Sequence, residues 1–155
     1  MGKISAKLRE LGLHLPLAAK PVANYVPWVI SGHLVFVSGQ IPLLDGKPHF
    51  VGQIGTTVSL ENGVAAARLC AVNILAQLNE ACRGDLDRIV RIVKLVGFVN
   101  CNHDFTDMPQ VMNGASDLMA EVFGDAGKHA RSSVGASSLP LGVPVEVEAI
   151  VEITI

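Results

Sequence analysis

The chain has 155 residues, 50% of them hydrophobic and 17% charged, with a formal net charge of −2. One domain of that length buries roughly 68–70% of its unfolded surface, and a composition this apolar excludes a disordered chain. The basic residues are scattered, so no footprint for a phosphate backbone exists and nucleic acid is not an expected partner.

A mean hydropathy of +0.43 with so few charges leaves apolar surface for a second subunit to cover, so a homo-oligomer is expected. Cys70, Cys82 and Cys101 lie in apolar stretches without a paired short spacing, which argues against a disulfide framework or a zinc site and for a reducing, cytoplasmic setting. The first fifteen residues alternate charged and apolar positions. They lack the continuous apolar run of a signal peptide or membrane span, so no membrane partner is expected.

In chain order, Ile4, Leu8, Leu11 and Leu15 recur at helical spacing, predicting a short amphipathic helix before Pro16. Residues 1–20 read as an N-terminal helical extension and residues 21–155 as one domain. Two β-rich runs, Val26–Ile30 and Leu34–Val37, flank Ser31-Gly32-His33 and predict a hairpin. Pro42 to Thr57 carries Asp45-Gly46, Pro48, Gly52 and Gly55, which predicts a loop with room for at most a short strand.

Ser59 is placed to cap a helix whose apolar stripe runs from Val64 through Ala67, Cys70, Ala71, Ile74, Leu75 and Leu78 to Cys82, ending at Arg83-Gly84. Ile89 to Val99, rich in β-branched residues, predicts a strand. A second helix follows, capped by Thr106 or Asp107, with Pro109 near its start and Gly124 at its end. Arg131-Ser-Ser-Val and the alternating Val145–Ile155 predict two closing strands, with the loop Leu139–Pro144 between them. The order strand, strand, helix, strand, helix, strand, strand implies an α+β fold, a mixed β-sheet with two helices packed on one face.

The chain contains no phosphate-binding glycine loop, nucleophile elbow or metalloprotease helix. His14, His33, His49, His103 and His129 are dispersed, no two of them one helical turn apart, so no metal is expected. The distinctive stretch is Arg131-Ser132-Ser133-Val134, then Leu139-Pro140, then Val145-Glu146-Val147-Glu148. Upstream, Tyr25 precedes Ser38-Gly39-Gln40-Ile41-Pro42. Together these motifs resemble the signatures of the RidA/YjgF/L-PSP family, and the resemblance spans about Pro21 to Ile155.

That resemblance implies a chorismate-mutase-like (YjgF-like) fold, a homotrimer with ligand clefts between subunits, and cofactor-free hydrolysis of small 2-imino acids to 2-oxo acids and ammonia. By residue it implies that Arg131 holds the substrate carboxylate, that Glu146 lies near the attacking water, and that Tyr25 comes from the neighbouring subunit. Ser38, Gly39 and Ser133 fall in ligand-lining motifs. Asn113 matches an asparagine of the second helix, with one residue more between it and Arg131.

The chemistry agrees: a guanidinium fork matches a planar carboxylate, and a carboxylate can relay protons for C=N hydrolysis. Each residue also has a structural alternative. Arg131 can pair with a strand carboxylate, Glu146 and Glu148 share one face of an alternating strand and can both be solvated, and Tyr25 can be a packing aromatic.

Ala23-Asn24 stands where relatives of the family have Gly-Pro, and Gly135 where a larger residue is common, so the chain reads as a divergent branch. A second reading is a non-catalytic protein that binds small carboxylates in the same cleft. A ribonuclease is disfavoured by the charge.

Overall fold

In the computed structural model, which describes residues 2–155, the core forms around two helices laid on one face of a five-stranded sheet. The strands are β1 (Trp28–Ser31), β2 (Leu34–Gln40), β5 (Ile89–Asn100), β6 (Ala130–Ala136) and β7 (Val145–Ile153), in the order β1-β2-β7-β5-β6. A separate two-residue pair, β3 (Leu43–Leu44) with β4 (Lys47–Pro48), lies in the predicted loop. Among the named strand pairs of the described residues, β5 with β6 alone is parallel. A parallel pair needs a crossover, and α3 (Met108–Phe123) supplies it.

Helix α2 (Leu60–Ala81) begins where Ser59 Oγ accepts the Asn62 N–H at 3.1 Å, and stops where Arg83 and Gly84 take positive φ of 58° and 84°. Its predicted stripe is buried apart from Val64, which is half-buried. Asp107 is the N-cap of α3 by position, but its side chain makes no capping bond. Gly124, at φ 61°, ends that helix.

The N-terminal helix is shorter than the spacing of its leucines predicts. Helix α1 spans Lys3–Glu10, because Gly12 at φ 68° turns the chain away before Leu15. Met1 lies outside the described residues. The start of α1 is tied down by Asp87, whose carboxylate accepts the N–H groups of Lys3 and Ile4, both at 2.7 Å, and Leu8 is buried in the core. Strand β1 also starts later than predicted, at Trp28. Val26 and Pro27 stay outside it, their carbonyls accepting from Ser38 Oγ and the Ser38 N–H, both at 2.9 Å.

Alternation sorts the sheet into two faces. Val145, Val147, Ala149, Val151 and Ile153 of β7 face the helices and are buried. Glu146, Glu148, Ile150 and Glu152 face the other way, where no layer of this chain covers them. On that open face Val29, Phe36 and Val134 remain 40–50% exposed. The described helices include none long and apolar enough to cross a membrane.

The two helices approach each other at Gly114, where a Cβ would collide with the carbonyl oxygen of Val64 in α2. Alanine in a helix interior normally stabilises by about 0.5–1 kcal/mol over glycine. Here the sign is expected to reverse: Gly114→Ala must push α3 off α2 and cost about 1–3 kcal/mol, read as a lower midpoint in urea unfolding.

Candidate functional site

The edge strand β6 pairs in register with β5 so that Arg131 lies beside Leu95, Ser133 beside Gly97 and Gly135 beside Val99. Leu95 and Val99 are core residues, so this row of β6 faces the helix layer. Helix α3 runs back over it, and Arg131 turns its side chain up to meet it. Arg131 Nη1 donates to Asn113 Oδ1 at 2.9 Å and to Ser116 Oγ at 3.1 Å. No carboxylate among the described residues of this chain pairs with this guanidinium. Nε and Nη2 make no hydrogen bond among the described residues, so two parallel donors of the fork stay available.

Ser116 and His129 complete the support. His129 Nδ1 lies 2.6 Å from the Gly127 carbonyl, which can only accept, so Nδ1 carries a proton. Burial holds the His129 pKa below its ordinary value and the Arg131 charge adds to this, although the Gly127 bond acts the other way. The ring is therefore neutral at pH 7, with an Nε2 lone pair 2.9 Å from Ser116 Oγ. The Ser116 hydroxyl donates to Nε2 and turns a lone pair to Arg131. Sequence reading missed both residues. The available signal was spacing: Ser116 is one helical turn beyond Asn113, and His129 is two residues before Arg131.

Ser133, next in the row, has a buried hydroxyl with no hydrogen-bond partner among the described residues. A buried polar atom left alone costs free energy unless water or a ligand meets it. Arg131, Asn113 and Ser133 thus belong to one neighbourhood.

Glu146 belongs to another. It is half-buried on the open face of β7, opposite Phe98 of β5. Strand β2 bulges against β7 at Ser38-Gly39, two residues between the pairs Val37↔Ala149 and Gln40↔Val147. The Glu146 carboxylate rests on Gly39 so closely that a Cβ there would collide with Oε1. Burial raises its pKa, and the neighbouring Glu148 charge raises it further. Ser38 fastens the loop that carries Tyr25 through Val26, and the Tyr25 side chain is 55% exposed. One chain therefore brings Ser38, Gly39 and Glu146 together, and Tyr25 onto the adjoining loop. It does not bring Glu146 to Arg131, since the two lie on opposite faces of the sheet with β5 between their strands.

The family model described as "YjgF/chorismate_mutase-like, putative endoribonuclease" matches residues 5–153. Protein TCP17 of Trypanosoma cruzi is 48% identical over 153 residues, 98% of this chain and 95% of its own. A crystal structure of a protein of unknown function from Agrobacterium tumefaciens is similar at a TM-score of 0.92 and 50% identity, covering 97% of this chain and 92% of that one. A 2-iminobutanoate/2-iminopropanoate deaminase of Dermatophagoides farinae is 27% identical over 138 residues, 89% of this chain and 92% of its own. The motifs around Arg131 and Ser38, the sheet with its helix layer and the match along nearly the whole chain agree: this protein belongs to the YjgF/RidA family and has its chorismate-mutase-like fold.

Proposed function

We propose that this protein hydrolyses 2-imino acids to 2-oxo acids and ammonia, in clefts formed where copies of the chain meet as a homotrimer. The observation that carries this reading is the Arg131 fork, held through Nη1 by Asn113 and Ser116 with Nε and Nη2 free. An arginine fixed in this way is built to receive a planar carboxylate bidentately. The named activity of the Dermatophagoides relative supports the same substrate class.

The reaction adds water across C=N. Water attacks the imine carbon, the C–N bond breaks after the nitrogen is protonated, and R–C(=NH)–COO⁻ plus H₂O becomes R–C(=O)–COO⁻ plus NH₃. Glu146 takes the proton from water and returns it to nitrogen. Its raised pKa makes it a stronger base than a solvated glutamate and a usable acid after it has accepted the proton. Ser133 Oγ offers a hydrogen bond to the imine nitrogen or to the oxygen that replaces it. No step requires a metal or a cofactor, because the imine carbon is already electrophilic.

Assembly is part of the proposal. Arg131 stands on the β6 edge, while Glu146, Ser38 and the Tyr25 loop stand toward the other edge and the open face. A site using both needs two copies, and the exposed apolar residues of the open face give them a surface to bury. The same separation motivates the alternative, a non-catalytic protein that binds small carboxylates, since one copy carries the clamp without the acid–base group.

The experiment is semicarbazide-competition kinetics with 2-iminopropanoate and 2-iminobutanoate generated in situ. Faster loss of free imine with the protein than without it is expected. No acceleration, together with thermal stabilisation by 2-oxobutanoate, leaves the binding protein as the answer.

A further inference from the structure

The free edge of the Arg131 guanidinium keeps one direction only while the opposite nitrogen is held. Both hydrogens of Nη1 are committed to α3, one to Asn113 and one to Ser116, a single helical turn apart. The two anchors are not equal. Asn113 lies at an exposed position, where water competes for its side-chain carbonyl, whereas Ser116 is half-buried and stands between Arg131 and His129.

Every proton from Arg131 to Gly127 has one direction. A guanidinium can only donate, so Ser116 Oγ accepts from Nη1 at 3.1 Å and keeps its own proton for another partner. That partner is His129 Nε2, 2.9 Å away. Its lone pair is present because the ring's one proton sits on Nδ1, 2.6 Å from the Gly127 carbonyl. Burial opposes a second ring proton, and the Arg131 charge adds to this. The far end is fixed to the same helix: Gly127 packs so closely against α3 that a Cβ there would collide with the Met119 carbonyl oxygen. The relay thus leaves α3 at Ser116 and returns to it at Gly127, a closed frame to which Nη1 is tied.

We propose that His129, acting through Ser116, is a positioning residue that turns the Nε and Nη2 edge of Arg131 toward a ligand carboxylate. The assignment rests on the reading of Arg131 as a carboxylate clamp and deepens it. His129 touches no reacting atom, so its contribution belongs to binding. It holds in advance an arginine rotamer that the ligand otherwise has to immobilise. Support of that kind acts equally on bound substrate and transition state, so it lowers KM and leaves kcat alone.

Two substitutions separate the hydrogen bonds of the ring. His129→Gln places an amide oxygen where Nε2 stood and keeps an acceptor for Ser116, while His129→Asn keeps a donor for Gly127 and leaves Ser116 without its partner. A cavity of about 300 Å³ beside Ser116, His129 and Arg131 admits water to the bonds that are lost, so the variants are expected to fold, which the thermal midpoint checks. Binding of 2-oxobutanoate is measured by titration calorimetry, with KM and kcat for 2-iminobutanoate beside it. His129→Asn is expected to raise Kd and KM about fivefold to tenfold, the cost of immobilising one long side chain, with kcat unchanged. Ser116→Ala should do the same, and the double variant should lose no more than Ser116→Ala alone, because the two residues act as one unit. His129→Gln should bind as the wild type does.

Wild-type affinity in His129→Asn, beside lost binding in Arg131→Ala, overturns the relay and leaves the clamp standing. So does a double variant weaker than Ser116→Ala, a fall in kcat at unchanged KM, or a His129→Gln no better than His129→Asn. Equal binding of 2-oxobutanoate by wild type and Arg131→Ala, or binding by neither, overturns the clamp and the relay together.

Discussion

Replacing Arg131 by alanine is expected to abolish the acceleration of imine loss while leaving the fold intact. The clamp offers two charge-assisted hydrogen bonds, each worth about 1.5–3 kcal/mol. Losing both lowers the rate at subsaturating substrate by roughly 10²–10⁴. Stability should barely change, because Arg131 is only half-buried and its removal frees Asn113 Oδ1 and Ser116 Oγ to bond water. The check is the semicarbazide assay beside a urea melt. An unchanged rate in a folded variant sinks the carboxylate clamp, and with it the proposed reaction.

Glu146→Gln is expected to cost roughly 10²–10⁴ in rate, the usual contribution of a positioned acid or base. Its stability effect runs the other way. The folded pKa of Glu146 is raised above the ordinary 4.5, first by burial and then by Glu148. The fold therefore holds the proton more tightly than the unfolded chain does. That contribution is fully present below about pH 4.5 and is lost as pH rises through the folded pKa. At neutral pH the wild type keeps a disfavoured carboxylate, and the neutral glutamine removes this cost. The variant should thus melt higher than wild type at pH 7, with the difference closing at acid pH. A position that lowers stability and raises rate is a functional one. Full activity in Glu146→Gln removes the residue from the mechanism.

The two variants together test where the site is assembled. If Arg131 of one copy works with Glu146 of the next, co-expressed Arg131→Ala and Glu146→Gln chains regain activity that neither has alone. Random assembly restores about a quarter of the wild-type sites, since a given interface must draw its arginine from one kind of chain and its glutamate from the other. No recovery in properly mixed oligomers rules out a shared site.

Composition and period were enough to read the α+β order from the sequence. The Ser59 cap, the stripe of α2, the β-branched run of β5 and the alternation of β7 are local signals, each written within one element and each present in the structure. Where local signals misled, a backbone turn intervened: Gly12 cut the first helix short of its last leucines, and hydrogen bonds to Ser38 kept Val26 and Pro27 outside β1. The motif residues Arg131, Ser38 and Glu146 were also legible, but as a list.

Their arrangement was decided by pairing between distant segments. The parallel register of β6 on β5 put Arg131 under α3, beside Ser116 and His129, which no motif had named. The bulge of β2 against β7 put Glu146 on Gly39, on the far face of the sheet. A strand's alternation says that two faces exist. Which face receives the helices, and which stays open, is settled only when the strands pair and the helices pack.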